Sequence, residues 1–196
     1  MRFSQKEEYL REKDPKLKKI IDDNGHIVFK YDKNNQFGIL VEIIISQFIS
    51  TAAANSIIER IKQEFKIKNF RPTNFYQLPV EEIKELGLSY NKAKSIQELS
   101  QAYMKNNLNF LSLSEEETQK TLLSIFGIGP WSINMFEIFC LGKKDIFSSK
   151  DAGLRQAMIK SSMVKPSSDW SSFDIYSKKW SPFRTIASLH LWKLID

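Results

Sequence analysis

Cysteine is nearly absent from this chain of 196 residues, which holds one, Cys140. A single thiol excludes an internal disulfide, a four-cysteine iron–sulfur cluster and a thiolate zinc site built within the chain. Histidine is almost as scarce. His26 and His190 lie far apart in sequence, give no metal-ligand spacing and read as structural residues. No apolar run reaches the roughly 20 residues that cross a bilayer. The start, Met1-Arg2-Phe3-Ser4-Gln5-Lys6-Glu7, has no apolar signal segment. No membrane contact is expected, and the expected location is intracellular: cytoplasm or nucleoid, or the nucleus in a eukaryote. Repeats and low-complexity tracts are missing too. Glycine is sparse, at seven residues, so a close pair of glycines stands out.

The length fits one domain of ordinary size or two small lobes sharing a core. A formal net charge of +6 fits a polyanionic partner, and fits many other soluble proteins as well. Apolar spacing is helical along most of the chain. The β-branched run Ile39-Leu40-Val41-Glu42-Ile43-Ile44-Ile45 taken alone also fits a buried strand. Its continuation through Ala52-Ala53-Ala54 to Ile57, Ile58, Ile61 and Phe65 predicts two buried helices instead. Pro79 followed by Glu81 and Glu82 predicts a short helix ending near Leu86. Ala93, Ile96, Leu99 and Tyr103 share one face of another. Ser114-Glu115-Glu116-Glu117 is a capping box opening the helix that carries Leu122, Leu123 and Phe126. Helices are expected from Trp131 to Leu141 and from Asp151 to Met158. Ser181-Pro182 is expected to cap a last one containing Ile186, Leu189 and Trp192. Strand signal survives only around His26 to Tyr31, before the turn-like Asp32-Lys33-Asn34-Asn35. Lys13, Lys16, Lys18 and Lys19 read as the solvated face of an N-terminal helix. The expected fold class is all-α.

The close pair of glycines lies in Leu122-Leu123-Ser124-Ile125-Phe126-Gly127-Ile128-Gly129-Pro130-Trp131-Ser132. An apolar helix running into Gly-x-Gly and out into a second apolar helix makes a helical hairpin with an almost side-chain-free tip. Such a tip lets backbone approach a ligand closely. The N-terminus of the second helix points unpaired N–H groups at it, which suits a phosphate. An ordinary helix–helix turn fits Gly127-Ile128-Gly129 equally well. Asp151 follows at a distance that could hold a carboxylate over a nucleic-acid backbone, and is by itself also a common helix N-cap.

Taken in order, these segments resemble the helix-hairpin-helix DNA glycosylase superfamily, and within it the 3-methyladenine DNA glycosylase II branch. Ser46-Gln47-Phe48-Ile49-Ser50 with Ala52-Ala53 looks like that branch's Gln-Gln-x-x-Ser helix, with one glutamine where the branch has two. Leu86-Gly87-Leu88-Ser89-Tyr90-Asn91-Lys92-Ala93 resembles its Gly-Leu/Met-Ser/Pro loop before a helix bearing Lys-Ala. Gly127 to Ser132 looks like the hairpin, and Asp151-Ala152-Gly153-Leu154-Arg155 like the catalytic Asp-x-Gly-Leu-Arg. Trp180-Ser181-Pro182-Phe183-Arg184-Thr185-Ile186-Ala187-Ser188-Leu189-His190-Leu191-Trp192 resembles the closing Trp-x-Pro-x-Arg-Ser-x-Ala-x-x-His-x-Trp. The likeness runs from about residue 40 to 192. Lys150 departs from the apolar or acidic residue often found before the aspartate.

The resemblance implies two helical lobes, about 40–142 and 1–39 with 143–196, and an active-site cleft between them. The implied protein is a monomer acting on double-stranded DNA that contains damaged bases. It removes alkylated purines, chiefly 3-methyladenine with 7-methylguanine as a second candidate, in base-excision repair. A glycosylase for hypoxanthine or uracil, or a non-catalytic DNA-binding module, are the rival readings. A base inside a duplex has to be rotated out before it can be cut. Asp151 is then the catalytic carboxylate, stabilising an oxocarbenium-like sugar and activating water. Trp131 stands where lyase-competent members carry a Schiff-base lysine, so strand cleavage by that route is not expected. Its π-face suits a cationic, methylated purine. Trp192, Phe48 and Gln47 are further pocket candidates, the two aromatics fitting core packing as well. Leu88, Ser89 and Tyr90 are the loop that would fill the gap left by the flipped base, with Leu88 and Tyr90 both suited as the wedge. Lys92 and Lys94 fit phosphate contacts or a solvated face; Gly127, Gly129 and Ser132 fit the phosphate anchor. No cofactor is required. The resemblance also implies a structural cation, Na+ or K+, held by the backbone carbonyls of Leu123, Ile125 and Ile128.

Overall fold

The structure is a computed structural model and describes residues 3–195. Among these residues eleven α-helices form and no strand. The chain divides into two compact units, Met1–Tyr31 with Gly142–Asp196, and Asp32–Leu141. The first boundary therefore falls between residues 31 and 32 rather than 39 and 40. The reason is α3 (Gln36–Ser46), which packs against α4 (Thr51–Glu64), α6 (Tyr90–Asn106) and α8 (Pro130–Phe139).

Within the second unit α3 is apolar nearly all round, Glu42 excepted, with Phe37, Ile39, Leu40, Val41, Ile43, Ile44 and Ile45 all buried. A helix hydrophobic all round belongs in the middle of a bundle, and that burial overrides the strand preference of its β-branched residues. The neighbouring α4 differs from the expectation of a second buried helix. Only Ala54, Ile58 and Ile61 of it are buried, one stripe facing α3. The short α5 (Val80–Glu85) lies against α6, and α7 (Glu115–Leu123) against α8. The capping box forms as read: Glu117 N–H donates to Ser114 Oγ at 3.2 Å and Ser114 N–H to Glu117 Oε2 at 2.8 Å.

The first unit combines α1 (Gln5–Lys13), α2 (Pro15–Asn24), α9 (Ala152–Lys160), α10 (Trp170–Ser177) and α11 (Arg184–Lys193). Its core joins Leu10, Leu17 and Ile21 to Leu154, Met158, Trp180 and Leu191. Both histidines are structural. Buried Glu7 accepts from His26 Nδ1 at 2.7 Å and Ile27 N–H at 2.9 Å, and lies 3.3 Å from His190 Nε2. Burial alone would raise the Glu7 carboxyl; the hydrogen bonds from Ile27, Ser4 and His26 outweigh it and bring the carboxyl down to about 2. His26 to Tyr31 forms no strand, because an extended segment needs a second strand to pair with and an all-helical chain offers none.

Ser181 does not cap α11, whose preceding residue, Phe183, makes no side-chain cap. Ser181 Oγ donates instead to Asp145 Oδ2 at 2.8 Å. That carboxylate is gripped further by Arg184, Nε to Oδ1 at 2.8 Å and Nη2 to Oδ2 at 3.0 Å. The Arg184 guanidinium holds the Asp145 carboxyl below its usual range. Thr185 completes the grip, donating from Oγ1 to Lys143 O at 2.8 Å and accepting from Ile146 N–H at 3.0 Å. The start of α11 thereby fixes the segment that leads into α9.

Candidate nucleic-acid interface and active site

Asp151 is the N-cap of α9. Its Oδ1 accepts from Leu154 N–H at 2.7 Å and from Trp192 Nε1–H at 3.0 Å, and the residue is 8% exposed. The cap and the indole donor together hold this carboxylate in one orientation. Trp192, expected as a pocket wall or core, is thus also a donor to Asp151. The chain just ahead is braced as well. Arg155 Nη1 donates to Ser149 O at 2.6 Å while its guanidinium lies 4.8 Å from the Trp170 ring centroid. Ser149 Oγ donates to Asp174 Oδ2 at 2.8 Å. Lys150 is exposed.

In the other unit the hairpin runs from α7 through Gly127 and Gly129 into α8. The two glycines differ. Gly127 has φ +78°, a left-handed conformation, and a Cβ there would meet Ser95 Oγ at 2.0 Å. Gly129 has φ −116° and ψ −178°, ordinary extended backbone, and a Cβ there would meet nothing within 4 Å. Gly127 is needed by the turn itself. Neither the backbone nor the neighbours of Gly129 call for a glycine.

Ser132 is buried and cannot be a direct side-chain contact for DNA. Gln47 explains why: its Nε2 donates to Ser132 Oγ at 2.9 Å and to Gly127 O at 2.9 Å, tying the turn after α3 to the hairpin. Gln47 therefore braces the hairpin where a pocket role was expected. Lys92 is also spent internally, its Nζ donating to Ile45 O at 2.8 Å, and burial lowers its ammonium below the usual lysine range. It holds the C-terminal end of α3, its partner here being a carbonyl. Lys94 lies 4.4 Å from the Phe126 ring centroid, beside the hairpin.

Two further expectations need correction. Leu88 is 5% exposed, its side chain folded into the unit, so it is no wedge; Tyr90, 52% exposed at the start of α6, remains. Ser89 between them is the N-cap of α6, accepting from Lys92 N–H at 3.4 Å. Phe48 is no pocket wall. It stands fully in solvent with φ +59°. For a bulky side chain that backbone costs on the order of 1–3 kcal/mol, and the hydrogen bonds of Gln47 and of the Ile45 carbonyl anchor the chain just ahead of it. Trp131 is half-buried at the first turn of α8. Nothing in the sequence around Phe48 signals its left-handed backbone. Gly153 in Asp-x-Gly was the one readable sign of tight packing beside Asp151.

Ile125 O accepts from Ile128 N–H at 3.2 Å, so one of the three implied cation ligands already has one partner. Among the described residues no group of three or more His, Cys, Asp or Glu side chains could hold a metal, and no helix is long and apolar enough to cross a membrane.

The HhH-GPD superfamily of base excision DNA repair proteins matches residues 41–182. The chain is 29% identical over 161 residues to the alkylbase DNA glycosidase-like protein mag2 of Schizosaccharomyces pombe, covering 79% of this chain and 76% of that protein. It is 25% identical to DNA-3-methyladenine glycosylase 2 of Escherichia coli, covering 78% of this chain and 55% of that longer protein. Among solved structures, the 3-methyladenine DNA glycosylase of S. pombe in complex with abasic DNA superposes with a TM-score of 0.86 at 25% identity, covering 97% of this chain and 96% of that one. This chain belongs to the HhH-GPD superfamily.

Proposed function

We propose that this protein is a monofunctional DNA glycosylase, acting as a monomer, that flips alkylated purines out of duplex DNA and hydrolyses their N-glycosidic bond in base-excision repair. The observation that carries the reading is the Asp151 carboxylate, held in place by donors from two helices and standing in a chain of this superfamily. Its substrates are 3-methyladenine and 7-methylguanine. Methylation gives the purine a positive charge, so it departs as a neutral base. The C1′–N bond breaks, positive charge develops on the deoxyribose, and a water oxygen bonds to C1′. Asp151 stabilises that charge and takes the proton from the water. The hairpin backbone and the first turn of α8 bind phosphate. Tyr90 enters the gap left by the flipped nucleotide, and the exposed ring of Phe48 belongs to the same DNA-facing surface. A Na+ or K+ ion on the carbonyls of Leu123, Ile125 and Ile128 would strengthen the phosphate contact. The Ile125 oxygen has a second lone pair for it.

Free 3-methyladenine released from methylated duplex DNA, measured beside hypoxanthine and uracil release, tests the assignment. Absence of all base release refutes it. Because Trp131 offers no amine, the abasic strand should remain intact and borohydride should trap no covalent adduct. An adduct that persists after surface lysines are replaced would show a lyase.

Trp131 presents its π-face to the cationic base. Trp131→Ala should therefore lose about tenfold more activity on 3-methyladenine than on a neutral lesion such as hypoxanthine, the size of a desolvated cation–π contact. Equal losses on both lesions, accompanied by a large fall in melting temperature, would make Trp131 a core residue.

A further inference from the structure

We infer that Trp192 is a positioning residue: its indole N–H, reaching Asp151 across Gly153, sets the orientation of the catalytic carboxylate. The inference rests on the role proposed above for Asp151. The cap bond from Leu154 N–H alone would leave the carboxyl plane a broad torsional range, as is usual for an aspartate χ2. A second donor arriving at the same Oδ1 from α11, at 3.0 Å, removes that range and fixes where Oδ2 points. Indole N–H is a donor only, so the contact serves a carboxylate in one sense and has no alternative polarity. Hydrogen bonds to a charged acceptor are also the stronger kind.

Gly153 makes the contact sterically feasible. A Cβ there would lie 3.2 Å from Asp151 Oδ1, 3.4 Å from Trp192 Cδ1 and 2.9 Å from Ile195 Cδ1. Its backbone is not left-handed, so space rather than conformation favours glycine at this place in the first turn of α9. The same helix sets the register. Arg184 and Thr185 at the start of α11 hold residues 143–146 of the segment leading to Asp151, and Trp192 near its end holds the carboxylate. One rigid helix thus grips both the approach to the catalytic residue and the residue itself.

The test is Trp192→Phe, which keeps an aromatic ring over Gly153 and removes the donor. Single-turnover release of 3-methyladenine at saturating enzyme should slow roughly tenfold to a hundredfold, the range open to a hydrogen bond to a charged group. The half-saturating enzyme concentration, affinity for abasic-site DNA and melting temperature should stay near the parent's. Gly153→Ala, whose Cβ would crowd Asp151 Oδ1 at 3.2 Å, should give the same defect, and the double variant should be no slower than Trp192→Phe alone, since both disturb one contact. An active parent whose Trp192→Phe variant excises at the parent rate overturns the inference and leaves the function standing. So does a variant that loses only binding or only melting temperature, which would make Trp192 a pocket wall or core residue. A parent that releases no base overturns the function and this inference together.

Discussion

Asp151→Asn should release 3-methyladenine about 10²–10³-fold more slowly than the parent, the usual magnitude for one preorganised electrostatic group. Asparagine is as good an N-cap as aspartate. Its side-chain oxygen can still accept from Leu154 N–H and Trp192 Nε1–H, which both act on Oδ1. The substitution therefore keeps shape, cap and position, and removes the charge. Melting temperature and affinity for abasic-site DNA should be nearly unchanged, so the loss falls on the chemical step. Single-turnover excision measured beside those two quantities separates the cases. A variant that keeps most of its excision rate would show that Asp151 only caps α9.

Features that depend on neighbours in sequence were readable, and features that depend on distant partners were not. The Ser114–Glu117 capping box, the helix boundary at Asp151 and the glycine hairpin are all written in four or five consecutive residues, and each forms. Leu88 and Tyr90 are two positions apart and equally plausible as a wedge; only packing buries one and exposes the other. Lys92 looks like any helix-surface lysine until α3 ends beside it with an unsatisfied carbonyl at Ile45. Phe48 is the sharpest case. Its apolar character predicts burial, yet it stands in solvent on a left-handed backbone, next to a Gln47 that bonds to Gly127 and Ser132, some eighty residues on. The Asp151–Trp192 contact likewise spans 41 positions. Residue types were visible in the sequence, while the contacts these residues make required the fold.

The two hairpin glycines, alike in sequence, should fail in opposite ways when given a methyl group. Gly127→Ala should lose stability, since φ +78° costs an L-residue roughly 1–2 kcal/mol and the new Cβ would lie 2.0 Å from Ser95 Oγ. At ~2–4 °C per kcal/mol for a chain of this size, the melting temperature should fall by several degrees. Gly129→Ala should melt with the parent, because its backbone is extended and the space around a Cβ is open. That open space, immediately before the first turn of α8, is where the phosphate proposed above would come close. The methyl group should lower affinity for abasic-analogue DNA about tenfold, equivalent to ~1.4 kcal/mol. The slope of log affinity against log salt should stay the same, because that slope counts the cationic side chains displacing counterions and none is removed. A Gly129→Ala variant that binds as tightly as the parent would show that the tip of the hairpin does not carry the phosphate. One that loses affinity together with melting temperature would show that Gly129 serves the turn rather than the ligand.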